Sequence, residues 1–406
     1  MTELTARELL VHLYETAVDA VDGRRLVQRW CRENPSAKFS HCIAVGKAAS
    51  AMLQGALDSR HTINSALLIT TRESVTRELK RNNKVNVVES AHPVPEQSSL
   101  DAGDALLKYL RMVPRHSSLL VLVSGGASSL VEVPVDGISL AQLQRINRHL
   151  LASGKDIHLM NAWRKRFSKI KGGGLLHYLQ HLQCTQLIIS DVQNNDPAII
   201  GSGLLVPSEV ESHDVDDWLQ SQLPDGIQRP EINVQVTTHV IGSNEMATRA
   251  VVNEAGHHGL DHYLHEQFIS GDAIEQGRAI GEYLCNAPAG VHVWGGETTV
   301  ELPENPGLGG RNQSMALSLA ATIEGEDDVS VLVAGTDGID GNTPCAGAVV
   351  SGNSMRQIRQ MGFDAAAELN RANAGMVLMA INELFKPGPT NTNVMDIVIA
   401  YKRHSR

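Results

Sequence analysis

The chain has 406 residues, too many for one ordinary hydrophobic core, so two domains are expected. With 42% apolar residues, 20% charged residues and a formal net charge of -10, it reads as a soluble α/β protein whose surface suits neither nucleic acid nor an anionic membrane. The five cysteines (Cys31, Cys42, Cys184, Cys285, Cys345) include no C-x-x-C pair and fit buried thiols in a reducing compartment; no apolar stretch approaches 18 residues, and a cytoplasmic location is expected.

At the N-terminus Thr5 and Glu8 have the spacing of a capping box, and Leu9, Leu10, Leu13, Ala17 and Val21 follow at helical intervals. Short apolar runs then recur, at 42–45, 66–70, 85–90, 119–126 and 186–191, separated by amphipathic helices such as 140–151 behind Ser139 and Gln142. Near-continuous apolar strands alternating with helices predict a parallel sheet covered on both faces. The stretch 208–232 turns polar and proline-bearing, as at a domain boundary, and a second α/β series follows with runs at 236–243, 291–296, 329–338 and 396–401. Nearly every run ends in a polar or glycine-rich turn, where ligands bind in open parallel sheets.

Several of these turns carry chemistry. Gly46-Lys47 opens a helix, where a lysine opposes the helix dipole, so it is either a solvated side chain or the partner of an anion. Walker A is excluded, because the upstream glycine is missing and Ala48 replaces the Ser/Thr that would touch magnesium. Ser124-Gly125-Gly126 offers free N–H groups at a strand-to-helix turn. A helix over 156–171 would put Asn161, Arg164, Lys165, Ser168 and Lys171 on one polar face, a basic face inside an acidic protein that suits carboxylate or phosphate. His158 beside it reads as structural. Asp191 ends a strand, where it can act as base or hold a cation. Glu297 and Arg311-Asn312 sit in glycine-framed turns, and a cation at the start of the helix after Gly310 again asks for an anion. In Gly335-Thr336-Asp337 and on to Asp340, the two aspartates are either turn formers or ligands. No dinucleotide fingerprint and no zinc-spaced His or Cys cluster is present.

Taken in order, the segments VGKAASAM (45–52), SAHPVPEQSSLDAG (90–103), LVSGGASSLVEVPVDG (122–137), the basic stretch 150–175, SDV with DPAIIGSG (190–203), GGETTV (295–300), GRNQ (310–313), GTDGIDG (335–341) and GPTNTNV (388–394) resemble the glycerate 2-kinase family, whose members have often carried the label hydroxypyruvate reductase. The resemblance covers nearly the whole chain. It implies a kinase dependent on ATP and Mg2+ that phosphorylates the 2-hydroxyl of D-glycerate or a related small hydroxy acid. It implies a Rossmann-like, doubly wound N-terminal domain over 1–235 and a smaller C-terminal α/β domain of the MOFRL type over 236–406, with the active site in the cleft between them. The last strand, 394–402, is a candidate to return to the first domain. Lys47 and Arg311 would stabilise charge on the transferring phosphoryl group, and Asp191 would be the base or orienting acid for the substrate hydroxyl. Ser124, Gly125, Gly126, Arg164, Lys165 and Lys171 would hold the substrate; Glu297, Asn312, Gly335 and Asp337 would face the nucleotide, and Asp337 and Asp340 the metal. A monomer or homodimer is expected.

The chain also departs from the family pattern. Three family aspartates are replaced, at Asn195, Pro344 and Asn373, while Lys47, Asp191, Glu297, Arg311 and Asp337 are kept. The rival readings are therefore a non-catalytic paralogue that binds a metabolite or nucleotide, and a reductase using NAD(P)H, which the missing dinucleotide fingerprint opposes.

Overall fold

The computed structural model describes residues 4–153, 157–207, 216–224 and 234–404. They form two compact units: Gly23–Gly242, and a second composed of Met1–Asp22 together with Ser243–Arg406. The polar stretch expected to mark the boundary lies mostly outside the described residues.

The first unit is built on six parallel strands, β1 (His41–Val45), β2 (Ser65–Thr70), β3 (Val85–Glu89), β4 (Ser118–Val123), β5 (Gln183–Ile189) and β6 (Val236–Gly242), in the order β3-β2-β1-β4-β5-β6. This is the Rossmann order, which reverses direction between β1 and β4 and opens a crevice at their carboxyl ends. The apolar runs are what the fold requires: β1 is buried along its whole length, and Ile43, Val45, Val121, Val123 and Ile188 join one core with the helix Gln97–Met112. A satellite core gathers Leu143, Ile146, Trp163, Phe167 and Leu219. Both capping boxes read from the sequence, Thr5 with Glu8 and Ser139 with Gln142, are formed.

At the end of β1 the chain turns tightly. Gly46 has φ +129°, and a Cβ there would lie 2.2 Å from Ser124 Oγ and 2.5 Å from Ser124 O. Gly46→Ala is expected to lose about 2–5 kcal/mol, the sum of backbone strain and overpacking. Gly259→Ala, at φ +71° with nothing within 4 Å, is expected to lose only about 1–3 kcal/mol through strain alone. Urea titration of the two variants checks the difference.

The second unit has a mixed sheet in the order β12-β11-β10-β13-β9-β7: β7 (His262–Leu264), β9 (Gly290–Thr299), β10 (Val329–Gly335), β11 (Gly347–Ser351), β12 (Leu384–Phe385) and β13 (Asp396–Lys402). A further strand, β8 (Ile269–Asp272), pairs with β9. β13 is antiparallel to both β10 and β9. The helix Arg311–Thr322 covers the sheet with Met315, Leu317 and Leu319 in the core.

Three expectations change here. The run at 236–243 does not begin the second domain: it is β6, paired with β5, so the division falls after Gly242 rather than Gln235. The last strand does not return to the first sheet but lies in the middle of the second. The segment that leaves its sequence neighbours is the N-terminal helix Ala6–Ala20, whose Leu9, Leu10, Leu13 and Tyr14 are buried in the second unit. There the Tyr14 hydroxyl donates to Gly335 O at 2.7 Å. Among the described residues no helix is long and apolar enough to cross a membrane.

Candidate active site

In the parallel-sheet unit the sequence-read residues meet at the β1/β4 switch point. Lys47 follows β1, and its backbone N–H donates to Gly125 O at 2.8 Å. The Ala48 N–H, at the start of the helix Ala49–Leu57, donates to Ser124 Oγ at 3.0 Å. Ser124 thus stitches the two switch-point turns together and is buried. Gly126 is left-handed (φ +83°); a Cβ there would lie 2.9 Å from His92 Cδ2 and 3.3 Å from Lys47 Cγ, so both side chains close over this turn. Asp191, just beyond β5, reaches the same place. Burial pushes its carboxyl up to about 6, while its own N–H, the Lys47 ammonium and the Gly126 N–H pull the other way. A carboxyl with this pKa beside a lysine can exchange a proton with a substrate hydroxyl near neutral pH.

Beside Gly126 lies a cavity of about 190 Å³ lined by His92, Asn147, Arg164, Glu132 and Lys171 among others. The basic helix is shorter than the sequence suggested. It spans Ile157–Arg166, so Ser168 and Lys171 belong to the turn after it rather than to its polar face. Arg164 is oriented by Asn147 Oδ1 at 3.1 Å and Asn161 Oδ1 at 3.3 Å. Lys165 is nearly buried. Lys171 is an ion pair with Glu132, both buried, and Glu132 also accepts from Ser168 Oγ at 2.6 Å and from the Val133 N–H at 2.9 Å. The charge that Lys171 was expected to offer a substrate is therefore balanced within the protein. Arg166 turns away, stacking on Trp163 at 4.4 Å. The side chain of His158 lies outside the described residues.

In the mixed-sheet unit the anion that Arg311 demanded turns out to be the protein's own carboxylates. Asp396, at the start of β13, accepts from Arg311 Nε at 2.6 Å and Nη2 at 2.9 Å, a fork-to-fork pair. Glu297 Oε1 lies 2.9 Å from Arg311 Nη2, and Asn312 Nδ2 donates to Asp396 Oδ1 at 3.0 Å. Burial opposes the charge on Arg311, but Asp396, Glu297 and Asp340 outweigh it and hold the guanidinium above its ordinary pKa. Its side chain keeps 34% exposure, so it can still meet a ligand.

The two loop aspartates divide. Asp340 is buried and accepts from the N–H groups of Asn312 (3.1 Å) and Gln313 (2.8 Å), capping the helix Arg311–Thr322 from a distant loop. Burial and Asp396 raise its carboxyl to about 7, against those N–H groups and Arg311. Both oxygens are engaged by backbone, so Asp340 serves the helix as a cap. Asp337 is partly exposed, and its Oδ1 accepts from the Ile339 N–H at 3.2 Å. A Cβ on Gly335 would lie 3.2 Å from Asp337 Oδ1 and 3.4 Å from Asp396 Oδ1, so the glycine keeps open the space between two carboxylates. Asn312 is buried with its Oδ1 unpartnered, leaving one acceptor without a donor in the protein. Asn373, at one of the replaced family aspartates, has a structural place: it accepts from the Leu308 N–H at 2.9 Å and donates to Glu368 Oε2 at 2.5 Å.

Sequence reasoning did not single out His92, Asn147 or Asp396. His92 stood inside one of the quoted segments, SAHPVP, but a lone histidine carried no spacing signal.

The chain is similar to known proteins over nearly its whole length. Residues 9–232 match the family described as a domain of unknown function, DUF4147, and residues 290–396 match the MOFRL family. A glycerate 2-kinase of Pyrococcus horikoshii is 33% identical over 389 residues, covering 89% of this chain and 86% of that protein. A D-glycerate 2-kinase of Thermotoga maritima is 29% identical over 414 residues, 97% of each. The crystal structure of a glycerate kinase from Thermotoga maritima superposes with a TM-score of 0.83 at 27% identity, covering 98% of this chain and 99% of that one. The protein is thus an α/β phosphotransferase with an alcohol group as acceptor. The chain belongs to the glycerate 2-kinase family.

Proposed function

We propose that the chain transfers the terminal phosphoryl group of ATP, with Mg2+, to the 2-hydroxyl of D-glycerate or a closely related small hydroxy acid. The observation that carries this reading is the convergence of Lys47 and Asp191 on the Gly126 turn at the switch point of the parallel sheet. Asp191 orients the acceptor hydroxyl and takes its proton, and Lys47 meets the charge on the equatorial oxygens. Arg164, held by Asn147 and Asn161, meets the acceptor carboxylate. A cavity of about 190 Å³ suits a small acid, since larger ligands fill about 300–1,000 Å³.

On the mixed-sheet unit, taken by itself, Arg311 offers a cation to nucleotide phosphate. Asp337 and Glu297 would hold Mg2+, which takes one or two carboxylates plus phosphate oxygens; the open space beside Gly335 and the unpartnered Asn312 Oδ1 fit a hard ion and a nucleotide donor. Bound there, the ion would neutralise phosphate charge. The reading includes a cytoplasmic enzyme, monomeric or homodimeric.

The Asp191 carboxyl gives this a pH signature. If ionised Asp191 is the base, kcat/KM rises with pH through about 6. Its pKa is raised in the folded state, so the stability it contributes is full below its ordinary 3.8 and is lost as pH rises through about 6. Asp191→Asn is therefore expected to melt no lower than the parent at pH 7 while losing the acidic limb and most turnover. ATP-dependent phosphorylation measured across glycerate and longer sugar acids tests the whole reading. Binding without product under Mg2+ and Mn2+ would leave a non-catalytic paralogue, and oxidation of NADH by hydroxypyruvate would leave a reductase.

A further inference from the structure

Away from these residues, the second unit places three metal-ligating side chains within reach of one ion. His12 lies on the helix Ala6–Ala20; Glu254 and His258 lie one turn apart at the end of the helix Asn244–His257. His12 Nε2 is 2.9 Å from Glu254 Oε1, His258 Nε2 is 3.4 Å from the same oxygen, and the three ligand atoms all lie within 4.8 Å of one another. In a tetrahedral zinc site with bonds of about 2.0–2.1 Å, neighbouring ligand atoms are about 3.3–3.4 Å apart. The His258–Glu254 separation matches that edge, and the His12–Glu254 separation, a hydrogen-bond distance, is shorter.

We propose that His12, Glu254 and His258 form a binding site for a late first-row divalent cation, with Zn2+ as its type ion. Two imidazoles and one carboxylate are a donor set that selects such ions over Mg2+, which prefers all-oxygen shells, so this ion is distinct from the one that serves phosphoryl transfer. The surroundings favour a cation. The ligands sit at the negative end of the helix Asn244–His257, and Glu254 Oε2 is held by His257 Nδ1 at 3.4 Å, as an outer partner orients a ligating carboxylate. The His12 and His258 rings meet edge to face, with centroids 5.4 Å apart, and both side chains are about two-fifths exposed (42% and 38%), so an ion can enter and keep a water in its fourth position. His12 comes from the start of the chain and the other two from beyond residue 250, so the ion would staple the N-terminal helix to the helix it packs on.

The test uses the untagged full chain after chelator treatment, with Zn2+ titrated by calorimetry and Co2+ followed by its visible absorption. One equivalent binds, the tetrahedral Co2+ spectrum appears, excess Mg2+ does not compete, and the melting temperature rises as the site fills. His12→Ala, Glu254→Ala and His258→Ala each weaken Zn2+ binding by about 100-fold or more, since loss of an outer partner alone costs about 10–100-fold. His257→Ala weakens it by no more than that. Unchanged circular dichroism and unchanged phosphorylation activity in Mg2+ show that the variants are folded. Absence of stoichiometric binding overturns the proposal, and so does a His12→Ala variant that binds like the parent, which would put the ion on one helix alone.

Discussion

Lys47→Ala is expected to lower kcat by about 10²–10³-fold, the range seen when one preorganised charge stabiliser is removed, while thermal unfolding measured below about pH 6, where Asp191 is protonated, stays where it is. Thermal stability is spared because the turn is fixed by backbone: the Lys47 N–H to Gly125 O and the Ala48 N–H to Ser124 Oγ survive the substitution. A second signature distinguishes loss of chemistry from loss of shape. The Lys47 ammonium lowers the pKa of Asp191, so its removal leaves burial less opposed and moves the acidic limb of the rate profile above about 6. Lys47→Arg restores the charge and returns the limb toward its original position. A Lys47→Ala enzyme with full turnover would remove this turn from the reaction.

Asp396→Ala is expected to cost both activity and stability. Breaking a buried ion pair by deleting one partner costs about 3–5 kcal/mol; here about 2–4 kcal/mol is expected, because Arg311 keeps 34% exposure. The loss leaves Arg311 with Glu297 and takes an acceptor from Asn312 Nδ2. A guanidinium released from its fork no longer holds one orientation, so kcat falls by about 100-fold, close to the effect of Arg311→Ala. The two substitutions act on one unit. Combined, they are expected to do little more than either alone, which a double-mutant cycle in urea and in steady-state kinetics measures.

What could be read from the sequence depended on how local the signal was. The strands of the parallel sheet were legible because burial on both faces leaves uninterrupted apolar runs, and Lys47, Gly126 and Asp191 because each ends such a run. The short strands β7, β8, β11 and β12 were not, since two to five residues carry no period. Asp396 looked like the polar start of a strand; its partner Arg311 lies 85 positions earlier, and nothing near either residue announces the pair. Asp340 gave the same difficulty. Its capping role was hidden, because the helix it caps begins 29 residues upstream, at Arg311. The basic stretch misled because its residues suit a longer helix, whereas Ser168 and Lys171 are drawn out of it by the buried Glu132. An amphipathic helix states that it has an apolar face but not which core receives it, so the N-terminal helix was assigned to the wrong unit.

That last feature has a consequence for the order in which the molecule is made. The helix Ala6–Ala20 leaves the ribosome before the rest of its unit, whereas β13, the strand in the middle of its sheet, follows every other strand of that sheet. Throughout synthesis Leu9, Leu10, Leu13 and Tyr14 wait without their core, while the Gly23–Gly242 unit already has all its strands. A nascent chain arrested before β13 would thus carry one finished sheet and an orphaned greasy helix, the segment on which a chaperone or a protease would act first.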